Sequence, residues 1–135
     1  MGKNYVDIES DDGDVLRYRK HANGRGLVAH GAKVAATARV EAGAYIEPRA
    51  RVLDGARIGA GAWIEPGAVI GQGAVIDANA HIGPDAAIGA KAKIGVRVHV
   101  GSGAQIAGGS LIGDDESIRD GERVATDLRG FRLAA

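Results

Sequence analysis

The chain has 135 residues, no cysteine, and seventeen basic against seventeen acidic side chains. Charge this balanced excludes the basic face of a nucleic-acid binder and the polybasic run of a membrane-surface segment, and without thiols neither disulfides nor thiolate chemistry is possible. No apolar run reaches transmembrane length, and the start MGKNYVDIESDD lacks the apolar core of a secretory signal, so one unexported, cytoplasmic domain is expected.

Residues 1–26 read as a hairpin cap. YVDIE and VLRYR are short strand patterns flanking Asp12-Gly13, a hairpin turn signal, and Asn23-Gly24 turns the chain onward. From residue 27 a six-residue period takes over. Every sixth position from Val28 to Val124 is Val or Ile, and every sixth position from Ala32 to Ala92 is Ala. Neither a helix nor a plain strand has this period; it is a β-helix repeat. Within each hexad the small and the aliphatic residue point inward with one outward residue between them, and a tight corner follows. The corner slot holds Gly at nine positions (Gly31, Gly43 and Gly55 among them) and Asn79, Asp85 and Asp115 at three more. These residue types tolerate positive φ, whereas Arg49, Lys91 and Arg97 in the same slot should be strained. Aromatic residues are only 4% of the chain, thin for a globular core but sufficient for a narrow prism whose rungs bury one another.

Glu116 and Glu122 occupy slots meant for small inward residues, so regular coiling is expected to stop between Ile112 and Ile118. Residues 119–135 form the C-terminal cap in this reading, with Leu128, Phe131 and Leu133 covering the last rung. His21 and His30 fall in the entry segment and at the first corner and are expected at the surface.

The hexads of residues 27–118 resemble the hexapeptide-repeat proteins. That resemblance implies an all-β chain folded as a single-stranded, left-handed parallel β-helix of about five coils, eighteen residues to the coil. The segment DANAHIGPDAAIG (residues 77–89) is similar to early coils of UDP-N-acetylglucosamine acyltransferases, although the later Ala- and His-rich motif that carries their general base is not found. The opening YRKHANGRGLVA resembles short hexapeptide-repeat proteins of bacteria and phages, which adds a virion to the expected locations.

Folding the sequence at eighteen residues gives three outward columns. The first begins Lys33, Arg51, Val69; the second Arg39, Arg57, Val75; the third runs Tyr45, Trp63, His81, His99, Ser117. Pro48, Pro66 and Pro84, with Glu47 and Glu65, stack along the edge of the third. A face holding the one Trp and two of the four His is the clearest site signal, and aromatic enrichment reads first as a subunit interface. Tyr45, Trp63, His81 and His99 are therefore the expected contact of a homotrimer, the closed assembly that the resemblance implies. Stacked histidines on adjacent rungs, about 4.8 Å apart, have the spacing to share an ion. The flanking motif of metal-binding relatives such as the gamma-class carbonic anhydrases is missing, so no metal is expected. The leading expectation is a non-catalytic scaffold, spike or assembly module without a cofactor. The alternative is an acyltransferase using acyl-CoA or acyl carrier protein at a subunit cleft, with His81 or His99 as base. A sugar- or protein-binding module built on Trp63 is the second alternative.

Overall fold

The computed structural model describes residues 5–9, 15–126 and 132–133, all of it strand, turn and corner. The hexad grid becomes a left-handed parallel β-helix because each inward pair has nowhere to go but against the rungs above and below. Most coil strands are two residues long, one outward and one inward, as in Trp63–Ile64 and His81–Ile82. Ile46, Ile64, Ile82, Val100 and Ile118 stack in register up one sheet. Backbone N–H groups donate to the next rung, Trp63 to Ala80 at 2.9 Å and His81 to Val98 at 2.8 Å.

Three sheets form the prism. The aromatic column lies on an eight-stranded sheet that begins with β1 (Tyr5–Glu9), β2 (Val15–Lys20) and β3 (Leu27–Ala29). The column of Lys33 and Arg51 lies on a seven-stranded sheet, and that of Arg39 and Arg57 on a five-stranded one. Inside, every aliphatic grid residue from Val40 to Val124 is at most 3% exposed. Each such side chain contributes roughly 1.5–3 kcal/mol by leaving water. Val34 is only half-buried, since no rung lies beneath the first coil on its sheet.

The corners follow the sequence closely. All the Gly, Asn and Asp positions singled out above have positive φ, and so do Arg49 (68°), Lys91 (62°) and Arg97 (58°). Those three cations carry the unfavourable conformation that the repeat imposes. Thr37, in the same slot, is not among the positive-φ residues, in keeping with the steric cost of a β-branched side chain there.

The N-terminal cap pairs as a hairpin, Val6 opposite Tyr18, and β2 runs antiparallel to β3. His21 departs from expectation: it is 7% exposed, with Nε2 2.8 Å from the carbonyl of Ala38. A surface place was expected for it, but the bottom edge of the five-stranded sheet presents carbonyls that need donors. His21, Asn23 and the Gly26 N–H supply them, the last reaching Val40 O at 2.7 Å. Gly24 is required at this cap, with φ 103° and room for no Cβ, which would stand 2.3 Å from Val40 O. His30 is exposed, as expected.

At the other end the coil runs one strand past Ile118. Arg123–Thr126 pairs in parallel with Gln105–Ile106, and its far end pairs antiparallel with Arg132–Leu133. Glu116 and Glu122 are tolerated because they lie near the C-terminal end of the coil and are only half-buried. Glu122 accepts the Arg119 N–H at 3.0 Å. The Asp12-Gly13 turn, Leu128 and Phe131 lie outside the described residues, as does the side chain of Leu133.

Candidate functional site

The third column assembles as a ladder on the eight-stranded sheet. Tyr45, Trp63, His81, His99 and Ser117 stand at consecutive parallel rungs. The Trp63 and His81 rings are stacked, with centroids 4.5 Å apart and planes 6° from parallel. His99 meets His81 edge-on at 4.6 Å and 61°. At the bottom Tyr18, contributed by β2, meets Tyr45 edge-on at 5.6 Å. Trp63 remains 42% exposed, so the ladder has a wet rim with a large apolar group on it.

Two carboxylates from the Pro-lined edge tie this ladder down. Glu47 accepts the Trp63 indole N–H at 2.7 Å and the Tyr18 hydroxyl at 2.5 Å. Burial first, and then the Glu47 carboxylate, push the Tyr18 phenol above its ordinary range, so it stays a neutral donor. Glu65 is paired with His81 Nε2, and the two side chains are only 18% and 28% exposed. A carboxylate on Nε2 sets that nitrogen as the donor and leaves Nδ1 with the lone pair, the arrangement that orients a base.

Sequence reasoning noticed Glu47 and Glu65 on the edge but gave them no part in the site. The signal was there. Each carboxylate reaches the aromatic side chain sixteen residues ahead, Glu47 to Trp63 and Glu65 to His81. For His99 the slot sixteen residues back is Gly83, which has no side chain to offer. Glu65 therefore orients the His81 ring, while His99 remains exposed and without a carboxylate in that slot. No cluster of three or more His, Asp or Glu with metal-holding geometry occurs among the described residues.

A sequence profile described as the hexapeptide repeat of succinyl-transferase matches residues 52–84 and 80–114. No curated protein matches the chain. Among solved structures, a perosamine N-acetyltransferase from Caulobacter crescentus superposes with a TM-score of 0.73 and 29% identity. That structure is a histidine-to-asparagine variant in complex with CoA and GDP-perosamine. The match covers 75% of this chain and 48% of the other, so the chain spans about half the length of that relative. A hexapeptide transferase family protein from Anaplasma phagocytophilum shares the fold, with a TM-score of 0.61, 19% identity, and 80% and 76% of the two chains covered. Residues 52–114 thus carry the hexapeptide repeat, in agreement with the resemblance read from the sequence. The expectation of a non-catalytic assembly module is corrected by these likenesses, which point to transferases.

Proposed function

We propose that the chain is an acyltransferase module that moves an acyl group from acyl-CoA to an amine or hydroxyl, with His81 as general base. The observation that carries the reading is the His81–Glu65 pair against the stacked Trp63 ring. In the neutral imidazole, Nε2–H donates to Glu65 and Nδ1 takes the proton of the acceptor as its nitrogen or oxygen attacks the thioester carbonyl. The carbon–sulfur bond then breaks, CoA leaves as thiolate, and the proton held on Nδ1 passes to it. Trp63 fixes the ring plane from one side, and Glu47 fixes Trp63 through the indole N–H.

One prism face encloses nothing, whereas acyl transfer needs a site shielded from water. A second copy supplies the missing wall in this reading, with the chain a homotrimer packed along the rim of Tyr45 and Trp63. Acyl-CoA is then a co-substrate lying between two prisms. The likeness to an acetyltransferase crystallised with CoA supports this, as does the exposed Trp63 beside the base.

The test is release of free CoA thiol from acetyl-CoA, offered amines, hydroxyls and nucleotide-linked amino sugars as acceptors. Acceptor-dependent release above background hydrolysis is expected with at least one class. Retention of a sugar on the Trp63 face with no thiol released from any acceptor would replace the enzyme with a binding module.

A further inference from the structure

The lower ends of the three sheets are treated unequally by the cap. On the eight-stranded sheet, β2 pairs with β3 and covers the coil. On the five-stranded sheet, the carbonyls of Ala38 and Val40 meet His21, Asn23 and the Gly26 N–H. The corresponding carbonyls on the seven-stranded sheet are those of Ala32 and Val34, at β4 (Lys33–Val34), the strand that ends it. Neither accepts a hydrogen bond from a described residue, and the Val34 N–H donates to none.

An unpaired strand edge is a template for another extended chain. The rung above shows the pattern. Lys33 N–H donates to Ala50 O and Ala35 N–H to Val52 O, both at 2.9 Å. A strand lying parallel to β4, one rung lower, would give two N–H groups to Ala32 O and Val34 O and take the Val34 N–H on the carbonyl between them. Its side chains would alternate. One would stand outward beside Lys33, which itself lies directly opposite Arg51. The next would turn inward under Val34, which is half-buried for want of that rung. The groove along this edge is also lined by Arg19 from β2, by Leu53, which is 38% exposed, and by Asp54. Asp54 is already engaged, accepting the Thr37 hydroxyl at 3.0 Å.

We infer that this edge takes up an extended peptide of another protein, with an acidic residue in the outward place and an aliphatic one in the inward place. The backbone groups define a strand as the ligand, and the side chains select its sequence. Lys33 and Arg51 are like charges directly opposed in a sheet, which a carboxylate beside them relieves. The same charges disfavour a second copy, since β4 against its own equivalent would bring Lys33 and Arg51 up to another such pair. The inference does not rest on the acyltransferase reading.

Calorimetric titration of the whole chain at low salt, with an end-capped peptide of alternating Glu and Val as probe, tests it. Saturable binding is expected. N-methylation of the peptide at its Glu residues removes the donors to Ala32 O and Val34 O and should weaken binding about tenfold or more. A peptide of alternating Lys and Val should not bind. Val34→Pro deletes an N–H that has no partner among the described residues and blocks the edge, so it should abolish binding with the circular dichroism of the β-helix retained. If that variant does not fold, the N-methylated peptide probes the same edge from the ligand's side. Absence of saturable binding would overturn the inference, as would equal binding of the N-methylated or the Lys-Val peptide. Self-association of the chain that Val34→Pro abolishes would overturn it in favour of a second copy.

Discussion

His81 and His99 occupy the same outward slot on adjacent rungs, yet among the described residues only His81 has a carboxylate on its ring. His81 has a carboxylate at Nε2 and an indole stacked on its face, while His99 is exposed beside a glycine slot. The difference lies in neighbouring hexads, where Glu65 stands in one rung and Gly83 in the next. In a solenoid, then, the repeat supplies position and the departures from it supply function. The same division holds within each strand. Ile82 faces inward with no exposure and serves the fold, while His81 beside it faces outward and is free to differ.

The inward half is where substitution should cost most. Ile76→Asp places a carboxylate at a site 1% exposed, with no partner for it among aliphatic neighbours. The penalty is several kcal/mol, and circular dichroism should find the β-helix lost at ambient temperature. Substitution on the outward half should spare the fold but not the assembly. Trp63→Ala removes the large exposed apolar group of the proposed interface, at a cost of about 2 kcal/mol or more in association. Light scattering should report a smaller particle with β-sheet content intact; an unchanged particle would move the interface to another face.

A smaller effect sharpens the link between cap and ladder. Tyr18→Phe deletes the hydroxyl bonded to Glu47 and should lower stability by about 1 kcal/mol at neutral pH. The phenol is held neutral in the fold, above its ordinary pKa of 10.0, so its contribution is complete below pH 10. It is lost as alkali rises from there through the folded value, because only the unfolded chain ionises readily. Wild type should therefore lose melting temperature above pH 10 and Tyr18→Phe should lose less, a difference that thermal melts across that range will resolve. Smallest of all is Asp115→Asn. Its carboxyl, held below the usual range by Arg97, lies at an exposed corner, so the variant should melt with wild type at neutral pH. Wild type should lose the pair's slight benefit only in acid, as Asp115 takes up its proton.

The coil, its three columns and the sign of φ at its corners were legible in the sequence because one period controls all of them. A residue's inward or outward place follows from its position in the hexad alone. The site was less legible because it joins residues across rungs. Tyr45, Trp63, His81 and His99 share a column and could be grouped by counting, but Glu65 reaches His81 from a different corner of a different coil. His21 was misplaced for a related reason. Its partner, Ala38 O, is a backbone group at an open sheet edge and leaves no mark in side-chain pattern. At the C-terminal end, two Glu in inward slots suggested an early stop, whereas both are only half-buried and Glu122 accepts the Arg119 N–H.

The account rests on His81 being a base and His99 being only its neighbour. Thiol release by His81→Gln and His99→Gln, measured side by side with the same acceptor, tests this most directly. The account predicts a loss of about a hundredfold or more for His81→Gln and near-wild-type turnover for His99→Gln, with both proteins folded. Equal turnover in the two variants, or a loss confined to His99→Gln, would contradict it.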